Sequence, residues 1–432
     1  MTPNEVAALD RRLDRFLADL TGSLGRSERH HWAKVYLQGL LMDGGRKSIE
    51  PLAERIAGAD VQSLRQFVGQ SPWAVEQIQQ RLAEKVADLM AEPEVWMIDE
   101  TSFPKAGGAS VGVARQYCGA LGKVANCQVA VSLHWSTCEA SCPLAWRLYL
   151  PQSWLETPAR RAEGKIPDDI SYRSKNQLAL ELIDQVLSWD VPRLPIVADS
   201  AYGNDFEFRA GLRERGLQYA VAVEPSIKVW TTDPDLVPLA VDKPRGRPRE
   251  YPALKDWPEA QTLAEVAKEL PQKAWRNITW RQGTQGPMRS RFAQVKVWAA
   301  HGWKRQEHPK RVMEWLLIEW PEDAAAPTDY WLAQLGEQSL GLRRLVKTAR
   351  ARWRVEMDYR ELKEELGLDH YEGRHWLGWH HHVTLVSMAF AFLRTEQAQA
   401  KKNFWCDADD TAADPSAAAG PAHSSGGTMS VV

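Results

Sequence analysis

The chain has 432 residues, of which 44% are hydrophobic and 25% are charged, and its formal net charge is −2 at pH 7. This composition is typical of a soluble globular protein large enough for two or three domains, and it excludes a chain that is basic throughout. No apolar run approaches the roughly 20 residues that a membrane-spanning helix needs, and the first residues show no export signal, so we expect a cytoplasmic protein without a membrane partner.

Residues 1–90 show the apolar period of short helices separated by Gly, Ser and Asp. The predicted helices cover residues 5–20, 28–41, 48–56, 61–69 and 73–90. Two interpretations remain open for this region. It is either a helix-turn-helix-like unit that presents Ser63, Arg65 and Gln66 to DNA, or a plain helical bundle or dimerisation element.

From residue 94 the pattern changes to the period of strands. Strands are predicted over residues 95–99, 128–135, 145–150 and 194–198, with a helix over residues 175–189. Asp99 and Asp199 each follow a short apolar run that is typical of a buried strand. The segment is therefore mixed α/β with strands leading, and each aspartate has the alternative interpretation of a turn residue after a strand.

Five cysteines in a chain of this length favour reduced thiols over a disulfide framework. The spacing of His134, Cys138 and Cys142 suggests zinc only weakly, because neither a CxxC pair nor a second ligand cluster follows. Buried thiols on sheet strands are the preferred interpretation.

Residues 216–334 differ in character and are interpreted as a β-rich insertion. Its predicted strands cover residues 218–223, 275–281, 291–298 and 311–320, broken by Pro- and Gly-rich loops. Within it, residues 243–249 resemble an AT-hook, whose extended Arg245-Gly246-Arg247 core fits a narrow A·T-rich minor groove. An exposed basic loop is the alternative.

A short helix is predicted over residues 328–335, followed by a basic helix that contains Glu356. Between residues 343 and 363 there are eight cations and only three acids. This local excess of positive charge favours a nucleic-acid contact, although the net charge of the whole chain does not. At 3.6 residues per turn, one face of this helix carries Arg352, Glu356, Tyr359, Arg360 and Lys363. A solvated salt-bridge partner is the simple interpretation of Glu356.

An apolar helix is predicted over residues 382–394, and the Ala-, Ser- and Gly-rich residues 396–432 are expected to be a disordered tail. The histidines near this helix lack the carboxylates of a metal site, so we expect them to pack or to contact backbone. They are His370, His375, His380, His381 and His382.

Asp99, Asp199 and Glu356 together supply the carboxylate oxygens that Mg²⁺ prefers. Two such ions about 4 Å apart activate a water or a 3′-hydroxyl and stabilise the leaving oxygen in phosphoryl transfer. Each acid alone has an ordinary structural explanation, as a turn residue or a salt-bridge partner. The metal-site hypothesis therefore depends on the three acids together.

The stretches that contain these acids resemble bacterial insertion-sequence transposases of the RNase H-like DDE superfamily. The motifs are residues 98–105 with 110–117, 197–203 and 352–369. They resemble the branch with a Y-R-E-K pattern on the glutamate helix, and within it the insertion sequence 701 group. The resemblance implies an α/β fold whose RNase H-like catalytic core, a mixed sheet flanked by helices, covers residues 91–215 and 335–395. It also implies the β-rich insertion at 216–334 and an N-terminal helical DNA-end-binding domain at 1–90.

By this resemblance Asp99, Asp199 and Glu356 form the catalytic, metal-binding triad for two Mg²⁺ ions, with Mn²⁺ able to substitute. Arg352 and Lys363 stand at the spacings of the family pattern, whereas Ala349 replaces its tyrosine, and Tyr359 on the helix face of Glu356 is a candidate replacement. The predicted DNA contacts are Arg352, Arg360, Lys363, Tyr359, Lys105, Arg115, Arg245, Arg247 and Trp298, with Trp280 as an alternative to Trp298 for base stacking.

The resemblance implies a cut-and-paste DNA transposase that binds double-stranded DNA, both at the terminal inverted repeats of its element and at the target. It is expected to act as a homodimer in the DNA complex and to associate with the nucleoid. An RNase H-like nuclease without strand transfer and a domesticated, non-catalytic DNA-binding protein remain as alternatives.

Overall fold

The computed structural model describes residues 2–90, 92–234, 236–237, 253–254, 259–283, 286–301, 312–336 and 341–412. It describes backbone but not side chains at 236–237, 253–254 and 401–412. Within these ranges, no helix combines the length and the apolar character needed to cross a bilayer.

Five helices form the N-terminal region, as the apolar period predicts. They are α1 (Pro3–Leu20), α2 (Ser27–Leu41), α3 (Ile49–Arg55), α4 (Val61–Gly69) and α5 (Val75–Leu89). Helix α1 begins with a capping box between Thr2 and Glu5, which satisfies free backbone N–H groups at its start. Helix α4 is capped by Asp60, whose carboxylate accepts a hydrogen bond from the Ser63 N–H at 2.8 Å. The five helices match the predicted ones to within two residues at each end.

A twelve-stranded mixed sheet follows the N-terminal helices. Its strands are β1 (Pro93–Pro104), β2 (Ala114–Cys118), β3 (Lys123–Thr137), β4 (Ser141–Leu148), β5 (Ile196–Ala198), β6 (Tyr219–Val223), β7 (Lys228–Trp230), β10 (Gln261–Thr262), β11 (Arg276–Gly283), β12 (Gly286–Ala299), β13 (Met313–Trp320) and β14 (Asp329–Gln334). A separate small pair consists of β8 (Leu236–Val237) and β9 (Ala253–Leu254).

Strand β1 lies inside the sheet, between β3 and β5. It pairs antiparallel with β3 along its whole length and parallel with β5, which in turn pairs parallel with β6. Strand β1 continues five residues beyond Asp99 because the pairing with β3 extends to Pro104 opposite Cys127. Asp99 therefore lies within β1 rather than at its end.

Helices cover both faces of this part of the sheet. Successive residues of β1 point to opposite faces, so Asp99 and Glu100 lie on different sides. On the Glu100 side, α8 (Lys175–Leu187) begins with Lys175, whose amine lies 2.5 Å from the Glu100 carboxylate. On the Asp99 side lie α13 (Trp353–Glu364) and α14 (Trp376–Ala412), and Trp379 of α14 meets Phe103 edge-on.

The remaining helices connect these layers. They are α6 (Gln152–Glu156), α7 (Pro158–Gly164), α9 (Ser200–Gly203), α10 (Phe206–Glu214), α11 (Leu263–Glu269) and α12 (Leu342–Arg350). Single 3₁₀ turns occur at Gly22–Leu24, Gly119–Leu121 and Gln272–Ala274.

The inserted segment is rich in strands, and its strands join the central sheet. Strand β14 pairs antiparallel with both β13 and β6, so the sheet is continuous from β1 to β12. Because β6 pairs with the core strand β5, the boundary expected at residue 216 lies inside one sheet. The division of the chain into domains stays a prediction.

Two predictions differ from the structure, one in the type of secondary structure and one in where a helix ends. The helix expected at 328–335 is strand β14, because Tyr330 to Ala333 are buried between two partner strands and their apolar run does not distinguish helix from strand. The tail expected to be disordered from 396 is helical to Ala412. A bidentate ion pair from Arg12 of α1 holds Glu396, with the nearest atoms 2.7 Å apart.

Replacing Gly203 by Ala tests how closely the segment after β5 packs. A Cβ at Gly203 would lie well inside van der Waals contact of the Ala222 carbonyl oxygen on β6, so the backbone must shift. We expect Gly203→Ala to lower the free energy of unfolding by about 1–3 kcal/mol, measured by denaturant titration. Gly69→Ala is the matched control because its Cβ meets no atom within 4 Å. Equal stability of the two variants would contradict this packing.

Candidate active site

Three carboxylates from separate elements approach one guanidinium. The Arg352 Nη1 lies 2.8 Å from Asp99 Oδ2 on β1, and its Nη2 lies 2.9 Å from Glu356 Oε1 in the first turn of α13. Asp199, directly after β5, is close enough to act electrostatically on both Asp99 and Arg352. The fold therefore brings together the three acids that the sequence singles out.

Asp99 lies at the buried end of this group, with 6% of its surface exposed. Burial raises the pKa of Asp99 to about 7, with Arg352 opposing the rise and Asp199 adding to it. Its Oδ1 accepts a hydrogen bond from the Glu100 N–H at 2.7 Å. Asp99 is thus held in a site where its charge is costly without a cation nearby.

Burial lowers the pKa of Arg352, but the carboxylates of Asp99, Asp199 and Glu356 outweigh burial and raise it above its usual value. The guanidinium therefore stays charged and offsets the repulsion among the three acids. The side chain of Glu356 is 65% exposed, so the group opens to solvent on that side.

Asp199 also caps the short helix α9. Its Oδ1 accepts a hydrogen bond from the Ala201 N–H at 3.0 Å, which leaves Oδ2 with no hydrogen bond from the described residues. The capping bond fixes the carboxylate at the carboxyl end of β5, which pairs with β1. Both interpretations of Asp199, turn residue and site carboxylate, fit this position.

The donor set suits a hard divalent cation. Mg²⁺ takes oxygen ligands and is usually held by one or two carboxylates together with substrate phosphates and water. Among the residues with described positions, no three His, Cys, Asp or Glu groups converge closely enough to enclose an ion. Two of the carboxylates with a bound phosphate would meet the ordinary requirement of Mg²⁺, so the chemistry of the residues fits the ion without a closed protein cage.

Two lysines predicted to bind DNA phosphates are engaged within the protein. The Lys105 amine donates to the Tyr371 carbonyl at 2.6 Å, and burial lowers its pKa to about 8. The Lys363 amine donates to the Ser102 carbonyl at 2.9 Å, and burial lowers its pKa, with Asp369 opposing the change. In this conformation these lysines join chain segments beside the site, so their predicted phosphate contacts would require the amines to leave these bonds.

Tyr359 is also placed inside, with 8% of its surface exposed and its hydroxyl 2.7 Å from Ser132 Oγ. In this conformation Tyr359 is not exposed to DNA, and its predicted DNA contact stays a prediction. Ala349, where the family pattern has tyrosine, is buried on the core face of α12. Trp298 is half-buried and packs against the cluster that contains Trp230, so its predicted base stacking is restricted by this packing.

Other predicted DNA contacts lie on the surface. Arg360 and Arg115 are exposed, Arg360 on α13 and Arg115 on the edge strand β2. Arg65 of α4 forms an ion pair with Glu50 of α3. The AT-hook-like residues Arg245 and Arg247 lie outside the described residues.

The histidines of α14 pack as expected. His381 bonds the carbonyl of Val68 at 2.8 Å, and His382 bonds the Tyr36 hydroxyl at 2.9 Å. His134 likewise uses both ring nitrogens within the protein. Of the neighbouring thiols, Cys142 is buried and Cys138 is exposed, and both are free.

Sequence reasoning missed Ser132 and Asp358 beside the site, and it considered His134 only as a weak zinc ligand. They form a buried hydrogen-bonded group that reaches Tyr359. The alternation of Ser132 and His134 on a predicted strand was the available signal. Its meaning depends on the register between β3 and β1, which the sequence does not show.

Comparison with known proteins gives two findings. Residues 19–287 match the family model described as DDE superfamily endonuclease, which covers more than half of the chain and includes Asp99 and Asp199 but ends before Glu356. Over 187 residues the chain is 30% identical to the probable transposase for insertion sequence element IS701 of Microchaete diplosiphon. That match covers 43% of this chain and 46% of the relative, so it spans about half of the relative's length.

The raised pKa of Asp99 makes stability fall with pH. Between about pH 4 and pH 7 the unfolded chain releases the Asp99 proton while the folded protein retains it, so the ionised side chain destabilises the fold above this range. We expect Asp99→Asn, in metal-free buffer, to be more stable than the parent at pH 8 by up to about 3 kcal/mol. The difference should shrink towards zero near pH 4.

Thermal and denaturant unfolding across this pH range measure the difference. Asp168→Asn is the control because Asp168 is fully exposed, and its pH profile should follow that of the parent. If the stability of Asp99→Asn changed with pH in parallel with that of the parent, Asp99 would not be a buried carboxyl that retains its proton up to about pH 7.

Proposed function

The chain belongs to the family of DDE superfamily endonucleases, and on that basis we propose that it is a cut-and-paste DNA transposase. It cleaves DNA at the ends of its own element and joins the freed strand to target DNA. The matched relative is described as a probable transposase, which supports this proposal.

One observation carries the proposal: Asp99 and Glu356, from two elements, both pair with the guanidinium of Arg352, and Asp199 from a third element acts on it electrostatically. Acids used only in surface salt bridges need no such approach to a buried strand. The mixed sheet with helices on both faces supports the RNase H-like arrangement of the proposed core.

Mg²⁺, with Mn²⁺ as a substitute, would be held by Asp99, Asp199 and Glu356. When bound, such ions activate the attacking oxygen and stabilise the leaving oxygen of phosphoryl transfer. The residues of the chain hold the three carboxylates in position. Asp99 is fixed by the sheet, Asp199 by its capping bond, and Glu356 by α13 and Arg352.

Arg352 also provides a charge for the DNA backbone. Once a cation neutralises the carboxylates, its planar guanidinium matches a phosphate with two parallel hydrogen bonds. Exposed Arg360 lies two turns further along α13 and extends the positive surface. We propose that element ends and target DNA bind along this surface, in a homodimer that pairs two ends and associates with the nucleoid.

The central test is DNA cleavage by the purified protein. Labelled DNA carrying the element ends is incubated with Mg²⁺ and with the parent, Asp99→Asn, Asp199→Asn or Glu356→Gln. We expect each variant to cleave at least about 100-fold more slowly, because even outer partners of metal ligands typically contribute 10- to 100-fold. Asp199→Asn preserves the oxygen that caps α9, so a loss of cleavage by this variant would reflect chemistry rather than folding.

Glu364→Gln, an exposed change on the same helix, should cleave like the parent. Full cleavage by Glu356→Gln would refute the assigned triad. Cleavage without joining to a target plasmid would instead identify a nuclease, and end binding without cleavage would identify a non-catalytic DNA-binding protein.

A second test concerns the exposed arginine of α13. Arg360→Gln should weaken binding to element ends and reduce the slope of log K against log salt by about 1, because one phosphate contact is lost. Fluorescence anisotropy at several salt concentrations measures both. Arg193→Gln is the control, since Arg193 is exposed before β5, at the opposite end of that strand from Asp199. An unchanged slope would exclude Arg360 from the interface.

A further inference from the structure

A buried chain of hydrogen bonds joins helix α13 to strand β3 beside Asp99. Asp358 Oδ2 lies 2.8 Å from His134 Nδ1, and His134 Nε2 lies 2.9 Å from Ser132 Oγ. Ser132 Oγ lies 2.7 Å from the Tyr359 hydroxyl. The chain thus leaves α13 at Asp358, crosses β3, and returns to α13 at the next residue.

The members of this chain are withdrawn from water. The side chains of His134 and Asp358 are 0% and 1% exposed, and Ser132 is fully buried. The rings of His134 and Tyr359 meet edge-on at 5.4 Å, and Trp146 packs against both. Buried polar groups are costly when unsatisfied, so the complete pairing here fixes each side chain in one orientation.

The direction of these hydrogen bonds is inferred from the ion pair of Asp358 with Arg394, whose nearest atoms lie 3.5 Å apart. A carboxylate only accepts, so Asp358 would accept a hydrogen bond from His134 Nδ1. With a neutral ring, Nε2 would then accept the Ser132 proton, and Ser132 Oγ would accept the proton of Tyr359. This direction would turn the Tyr359 proton towards Ser132 and leave the lone pairs of the phenol oxygen to other donors.

The register of the sheet places this chain against the site. Ser132 is the cross-strand partner of Asp99, and His134 is the partner of Met97. Directly opposed residues of antiparallel strands share a face, with Cβ atoms about 4.5–5.5 Å apart. Ser132 is therefore the side chain beside Asp99, and Tyr359 is close enough to act on Asp99 electrostatically.

We propose that Ser132 and His134 are positioning residues of the active site, acting through Tyr359. They hold the Tyr359 hydroxyl beside Asp99 with its proton turned away. They also fix the rotation of α13, so that Arg352 and Glu356, on the same helix, reach Asp99. This inference rests on the proposed DNA-cleaving function and assigns new residues to it.

The structure supplies a matched control within the same network. Ser141 Oγ donates to Asp358 Oδ1 at 2.7 Å, on a branch that does not lead to Tyr359. Ser132→Ala and Ser141→Ala each remove one buried hydroxyl that serves Asp358 or its partner. A merely structural network would respond alike to both changes, whereas a positioning network would respond to the first alone.

The experiment measures kcat and KM for cleavage of element-end DNA, with thermal unfolding in parallel. We expect Ser132→Ala and Tyr359→Phe each to lower kcat about 10- to 100-fold with KM for DNA within about twofold. The double variant should be no slower than the slower single variant, since both changes remove the same contact. Ser132→Thr keeps the hydroxyl and should restore most of the rate, and Ser141→Ala should retain kcat within about twofold of the parent.

A readout without catalysis tests the direction of the chain. Nitrogen NMR of histidine-labelled protein should show His134 protonated at Nδ1, with Ser132→Ala changing the Nε2 shift. Equal loss of kcat in Ser132→Ala and Ser141→Ala, or a ring protonated at Nε2 alone, would overturn the inference. Absence of cleavage by the parent would overturn the proposed function instead, while the NMR result would still decide the direction of the hydrogen bonds.

Discussion

The ion pairs of Arg352 with Asp99 and Glu356 are the interaction on which the site depends. Asp99 lies on a largely buried strand of the sheet, where an ionised carboxylate without a partner is unfavourable. One guanidinium offsets its charge and also reaches an acid on the solvent side. The same contact therefore sets the distance between β1 and helix α13.

This constraint explains why so many polar groups around the site are bonded internally. Lys363 ties the end of α13 to β1, and Asp358 ties its middle to β3 and β4. Helix α13 has few apolar residues, so packing alone would hold it weakly. Its position is fixed by polar contacts, which are directional and tolerate little rotation.

The local features were predictable and the long-range ones were not. The bounds of α4 and the approach of Asp99, Asp199 and Glu356 could be predicted because apolar period and residue type are local or carried by the resemblance. The pairing of Ser132 with Asp99 could not, because strand register arises from contacts distant in sequence. For the same reason Lys105 was predicted to face DNA although it bonds backbone carbonyls.

The continuous sheet limits how the molecule can move. Five successive residue pairs, from Tyr330 opposite Val223 to Gln334 opposite Tyr219, connect the inserted strands to the strand beside β5. A hinge at this junction would have to break a row of buried backbone hydrogen bonds, each costly to leave unmade. A load applied to the inserted strands is therefore transmitted through the sheet towards Asp199 rather than absorbed by a flexible joint.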